Sequence, residues 1–116
     1  GTGIGSAFLM DGQLVPNTEL GHLELDGVDA EERASNAARE REGLDFETWG
    51  RRVNRFLHHV EMLFSPDLFL IGGGVSKEHE EFFPFFDVAT DVKPAALLNN
   101  AGIVGAAYLA GHSLLD

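Results

Sequence analysis

The chain has 116 residues, 44% hydrophobic and 23% charged, with a formal net charge of −11 and no cysteine. That is room for one globular domain with a real core, and it excludes disulfides, zinc ribbons, iron–sulfur clusters and thiol nucleophiles. The absence of cysteine fits a reducing cytoplasm. The acidic balance disfavours nucleic acid or an anionic membrane as a broad partner; no apolar run approaches the ~18 residues of a membrane span, and the first residues lack a signal-peptide pattern.

In chain order, "IGSAFLMDGQLVP" predicts two short strands around Asp11-Gly12, a dipeptide suited to a tight hairpin. Pro16 stops regular pairing, and "NTELGH" follows as a loop. Asp29, with Glu32 three residues on, reads as a capping-box start for an alanine-rich helix that runs to Gly43, its C-terminal glycine. Asp45 caps the next helix. Its residues Trp49, Val53, Phe56, Leu57, Val60 and Leu63 recur at spacings of three and four and form one apolar face. Ser65-Pro66 ends that helix.

"DLFLIGGG" is an uninterrupted apolar run closed by glycines, the pattern of a buried strand leading into a tight loop. Ser76 is placed to cap a short helix through Phe83, which Pro84 breaks. The aromatic run Phe82, Phe83, Phe85, Phe86 is read as core. "DVATDV" alternates as a strand, and "AGIVGAAYLAGHSLL" after Asn99-Asn100 is expected to be a last helix, with Gly102, Gly105 and Ala106 permitting close approach. Hairpin, two helices, strand, helix, strand, helix is an α/β or mixed domain.

Two glycine clusters and one polar segment are candidates for chemistry. In "GTGIG", backbone N–H groups at Gly1, Gly3 and Gly5 and the Thr2 hydroxyl are suited to phosphate oxygens. "IGGGVS" (Gly72, Gly73, Gly74, Ser76) lies between a strand and a helix, where a phosphate can approach the backbone. Neither matches a Walker A loop or the dinucleotide fingerprint, and each alone reads first as a tight turn; it is their joint presence at strand ends that brings a ligand site level with that reading. "PNTELGHLEL" sets Glu19 three residues before His22. Carboxylates and imidazole together supply the mixed acceptors and donors that sugar hydroxyls need, yet a solvated polar loop explains the same residues. No further ligand at metal spacing and no nucleophile with an orienting partner is evident. His58, His59, His79 and His112 read as surface or helix-end histidines.

Six of the eight basic residues (Arg33, Arg39, Arg41, Arg51, Arg52, Arg55) fall between positions 33 and 55, leaving Lys77 and Lys93. Ion pairs on a solvated helical face, or a polyanion patch, account for that cluster.

"GTGIGSAFLMDGQLVPNTELGHLELDG", "FSPDLFLIGGGVS" and "NNAGIVGAA" occur in the order and spacing of the ROK sugar-kinase family. The chain resembles that family over essentially its whole length, and "LVPNTELGHLELDG" without a following cysteine cluster is similar to its polyphosphate glucokinases. The resemblance implies an actin-like, RNase H-like α/β fold, of which this would be the C-terminal domain. It also implies transfer of a phosphoryl group from polyphosphate or ATP to the 6-hydroxyl of glucose, with Mg²⁺, in an enzyme that commonly forms homodimers. Glu19 and His22 of the E-x-G-H motif, and Glu31 ahead of Ala34-Ser35, match sugar contacts. Thr2 and Gly3 match one phosphate loop; Gly72, Gly73 and Gly74 match the adenosine or distal donor segment. Because the cysteines of many ROK proteins are missing, no zinc is expected and His22 is read as a direct sugar contact. No Asp-x-Gly-Gly-Thr loop and no catalytic aspartate in a matching context occurs, so the isolated chain is expected to be inactive. The alternative is the sugar-binding domain of a ROK-type transcriptional regulator.

Overall fold

The computed structural model describes residues 4–11, 13–16 and 18–95 and the backbone of residues 112–115. The expected hairpin is present as β1 (Ser6–Met10) and β2 (Gln13–Val15), paired antiparallel, with Asp11 at a positive φ of 53° in the turn. After Pro16 the chain makes one 3₁₀ turn, Leu20–His22, and then a second, smaller hairpin of β3 (Glu24–Leu25) and β4 (Val28–Asp29). Its two-residue loop is Asp26-Gly27, both at positive φ (56° and 90°), the requirement of a type I′ turn.

The alanine-rich segment forms two helices where the sequence pattern predicts one. α1 (Ala30–Ala34) stops at Ser35, whose backbone is extended (φ −72°, ψ 158°), and α2 (Asn36–Glu42) begins there. The Ser35 hydroxyl is the cap that works: it accepts from Ala38 N–H at 3.0 Å. Asp29 precedes α1 but makes no side-chain cap, because its carboxylate is engaged elsewhere. The Ala34 carbonyl at the break accepts from the Trp49 indole N–H at 3.0 Å, and the Ser35 carbonyl accepts from it at 3.0 Å as well as from Arg39 N–H at 3.2 Å. Gly43 ends α2 in the left-handed region as expected.

α3 (Phe46–Phe64) is capped by Asp45, which accepts from Thr48 N–H at 2.7 Å, and ends at Ser65. Trp49, Val53, Phe56, Leu57 and Val60 are buried on one face, whereas Leu63, predicted with them, is 49% exposed beyond the edge of the packed surface. β5 (Leu68–Ile71) is buried along its whole length. Phe69 and Ile71 pack toward α3, while Leu68 and Leu70 face Ala7 and Ala95 on the other side of the sheet.

Ser76 does not cap a helix. It sits inside a 3₁₀ segment, Gly74–Glu78, and its hydroxyl donates to Gly73 O at 2.8 Å. α4 (His79–Phe82) follows, and Pro84 lies in a further 3₁₀ turn, Phe83–Phe85. Phe82 is fully buried against Trp49 and Phe46, with Phe83 and Phe86 packed partly buried around it, so these three belong to the core, whereas Phe85 is half-buried with the Arg51 guanidinium 5.3 Å from its ring centroid. The strand predicted in "DVATDV" is shifted: β6 is Asp91–Pro94. Thr90 instead donates through N–H and hydroxyl to Glu61, and His58 and Asn54 both engage Asp87, tying the 87–90 loop to α3. His58 thus has a partner that sequence spacing does not reveal.

The last helix of the sequence pattern covers residues 101–115. Residues 101–111, with Asn99, Asn100, Gly102, Gly105 and Ala106, lie outside the described residues. Residues 112–115 are not helical: they form β7 (His112–Leu115). This strand fills the sheet between β1, to which it is antiparallel, and β5, to which it is parallel, giving the order β2-β1-β7-β5-β6. Filling that gap pairs backbone groups on two strand edges at once, which outweighs a weak local helix preference. No helix among the described residues is long and apolar enough to cross a membrane.

Candidate functional site

Glu19, His22 and Glu31 are brought together. The 3₁₀ turn that carries His22 is held on β1 by Leu20 N–H donating to Ser6 Oγ at 3.1 Å. The β3–β4 hairpin then folds the chain back, and Ala30 N–H donates to Leu23 O at 2.8 Å. As a result His22 Nδ1 lies 3.0 Å from Asp29 Oδ2 and 3.4 Å from Glu31 Oε1. The second oxygen of Glu31 accepts from Ile4 N–H at 3.3 Å, joining the ridge to the residues just before β1. Gly21 is buried where the turn meets Ile4, and a side chain there would collide with the Ile4 carbonyl oxygen.

His22 is raised above its ordinary pKa of 6.5, first by the hydrogen bond to Asp29 and then by the charge of Glu31, with Glu19 adding to the same negative field. A group raised on folding stabilises the fold fully below its unfolded pKa, and that contribution fades as pH rises through the folded value. Asp29→Asn should therefore lower the His22 pKa toward 6.5. Proton NMR titration of the imidazole checks this, and an unshifted midpoint would contradict the pairing.

A polyol edge-on to this ridge meets an imidazole ring and carboxylate acceptors within one small patch, the combination that hydroxyls require. His22, Asp29 and Glu31 also present donor atoms all within 4.8 Å of one another, a set that a divalent cation could share. Such an ion would have to displace the Nδ1 proton held by Asp29, and the raised pKa of His22 works against that.

The glycine loop after β5 opens on a separate cavity of about 430 Å³. Gly72, Gly73 and Gly74 form one side; Ile4, Trp49, Val53 and Phe56 line its apolar part, and Arg39, Lys77, Glu40 and Glu78 are its charged residues. The break at Ser35 is what gives α1 to the ridge and α2, with Arg39, to this cavity. Thr2 and Gly3, the other expected phosphate contacts, lie outside the described residues.

Compared with known proteins, the sequence is 49% identical over 107 residues to "Polyphosphate glucokinase" of Mycobacterium tuberculosis, covering 92% of this chain and 40% of that protein. It is 47% identical to the Mycobacterium leprae protein of the same name, covering 33% of it. The crystal structure of inorganic polyphosphate/ATP-glucomannokinase from Arthrobacter sp. strain KM superposes with a TM-score of 0.82 at 57% identity, over 90% of this chain and 42% of that one. The chain is thus similar, over most of its own length, to part of the proteins named polyphosphate glucokinase and to part of a polyphosphate/ATP-glucomannokinase. It spans about 40% of the length of the first of these relatives. No family model matches the sequence. The α/β fold expected from the family resemblance is the fold observed, shared with the matching part of the glucomannokinase.

Two residues of these sites are not evident from spacing. Asp29 is assigned to a helix cap by sequence, yet it orients His22. The signal that could have exposed it is Asp26-Gly27, the same hairpin dipeptide as Asp11-Gly12, which folds Asp29 back beside the E-x-G-H motif. Arg39 belongs to the run of arginines, but it separates from them in space. Arg51, Arg52 and Arg55 pair with Glu47, Glu42 and Asp26, which supports the ion-paired helical face.

Proposed function

We propose that these residues are the C-terminal domain of a glucokinase that transfers a phosphoryl group from polyphosphate or ATP to the 6-hydroxyl of glucose. The observation that most supports this reading is the convergence of Glu31 on the E-x-G-H segment, with Glu31 Oε1 3.4 Å from His22 Nδ1. In this role Glu19, Glu31 and His22 hold sugar hydroxyls, with Asp29 fixing the imidazole. The cavity bordered by Gly72–Gly74 receives the phosphate donor, and Thr2 and Gly3 contribute to a second phosphate loop. The named relatives are kinases, which favours catalysis over the regulator alternative.

The donor brings Mg²⁺, a hard cation that takes phosphate oxygens, waters and one or two carboxylates; Glu40 and Glu78 are the carboxylates of the cavity that fit this role. The bound ion would offset charge on the transferring phosphoryl group. On this reading the general base lies outside these 116 residues, which contain no Asp-x-Gly-Gly-Thr loop. The 116-residue chain alone should therefore form no glucose 6-phosphate, while the complete polypeptide should. Turnover by the purified chain above the level of a host-only preparation would overturn the assignment of the base.

In the complete polypeptide, Glu19→Ala removes a hydrogen-bond partner worth ~1–3 kcal/mol. The expected result is a fall of roughly 10- to 100-fold in kcat/KM for glucose, with KM for the donor unchanged. Steady-state rates varying each substrate in turn measure both, and an unchanged glucose kcat/KM would remove Glu19 from the sugar site. A cytoplasmic homodimer is proposed on the family resemblance; sedimentation of the complete polypeptide as a monomer would count against that assembly.

A further inference from the structure

Arg39 is placed unlike the other arginines. Its side chain is only 21% exposed, yet the nearest carboxylate, Glu40 Oε1, is 3.9 Å from Nη2 and beyond hydrogen-bond reach. Nε–H donates to Asn36 Oδ1 at 2.9 Å, and the guanidinium lies 4.7 Å from the Phe46 ring centroid and 5.8 Å from that of Trp49. Those contacts fix the plane of the group and offset part of its desolvation. They leave the four Nη hydrogens without a hydrogen-bond acceptor among the described residues. A largely buried cation with unused, rigidly presented donors calls for an anion. Its open side belongs to the 430 Å³ cavity, which also holds Gly72–Gly74 and Lys77.

We propose that Arg39 is a donor-anchoring residue, its Nη1 and Nη2 hydrogens binding a phosphate group of polyphosphate or of a nucleotide in the cavity bordered by Gly72–Gly74. The assignment rests on the kinase reading above and adds a residue to it. A guanidinium fork matches two phosphate oxygens at once, which an ammonium does not. Glu40 and Glu78 share the cavity, so a donor arriving as its Mg²⁺ complex is favoured over the bare anion.

The test uses the complete polypeptide with glucose and, separately, sodium tripolyphosphate and ATP as donors. Arg39→Ala should raise KM for the donor by about 10- to 100-fold and leave KM for glucose within about twofold. Arg39→Lys should recover only part of the loss. A rise with either donor supports the anchor, and the donor affected identifies the phosphate it holds. Unchanged donor KM for both, or an equal rise in glucose KM, overturns it. So does a lowered melting temperature with an unchanged donor KM, the mark of a purely structural stack. If Arg39→Ala fails to fold, Arg39→Gln, which keeps a planar N–H donor near Asn36, carries the same comparison. Should the polypeptide form no glucose 6-phosphate, the kinase reading fails by itself. Calorimetric titration of tripolyphosphate into wild type and Arg39→Gln then still tests the anchor, equal affinities overturning it.

Discussion

Gly21→Ala is expected to disrupt the His22–Glu31 ridge proposed to hold sugar and lower stability together. The added Cβ would run into the Ile4 carbonyl oxygen and come within 3.1 Å of Ile4 Cβ and 3.3 Å of Glu31 Oε2. The first of these is backbone and cannot rotate away, so the 3₁₀ turn or the start of β1 must move. Either movement strains the Ile4 N–H to Glu31 bond and the Leu20 N–H to Ser6 bond, which set the distance between His22 and Glu31. Overpacking of this kind costs about 1–3 kcal/mol, and each kcal/mol lowers the melting temperature of a domain near this size by about 4–8 °C. The functional loss should be larger than the stability loss, because a displacement near 1 Å in a positioning group costs about 100-fold in rate. Thermal melts and glucose kcat/KM of the complete polypeptide check the two parts. Wild-type values for both would mean that Gly21 is not a forced glycine and that the turn has room to relax.

Phe82→Ala should bring the domain close to the limit of folding. Phe82 is completely buried, with its ring centroid 4.7 Å from Trp49, 5.1 Å from Phe83, 5.9 Å from Phe86 and 6.1 Å from Phe46. Truncating a buried phenylalanine costs about 3–5 kcal/mol, against a total stability of about 5–15 kcal/mol for an ordinary domain. Urea denaturation followed by far-ultraviolet circular dichroism should show a much lower midpoint with little change in slope. The cavity would open beside Trp49 and Phe46, the two rings under Arg39, so Phe82→Ala should also loosen the surroundings of Arg39 more than those of His22. Phe82→Leu, which keeps most of the volume, should retain most of the stability. Equal midpoints for wild type and Phe82→Ala would show that the aromatic cluster does not hold the fold.

The elements with strong local signals were legible from sequence: the Asp11-Gly12 hairpin, α3 with its Asp45 cap and five of the six residues read as its apolar face, the buried strand β5, and the Gly43 stop. Each combines a periodic pattern with a terminating residue, so one reading dominates. Ambiguous signals were resolved otherwise. Asp29 and Ser35 are both good caps six residues apart, and the structure uses Ser35 because the hairpin turns Asp29 toward His22. Ser76 is likewise a competent cap by type, but its hydroxyl is spent on Gly73 O. The 112–115 strand depends on a gap between β1 and β5, which are separated by most of the chain and so carry no local signature.

What the sequence by itself determined is the chemical inventory: an acidic, cysteine-free α/β chain with an E-x-G-H segment, a later glutamate and a glycine-closed strand. What only the tertiary structure decided is which of those groups act together. Glu31 meets His22 because Asp26-Gly27 accepts two positive φ angles and reverses the chain there. Arg39 leaves the ion-paired arginines because α2 diverges at Ser35 and lays its guanidinium over Phe46 and Trp49. Both outcomes depend on side chains converging from separate elements, and distance across a fold is not written in spacing along a chain.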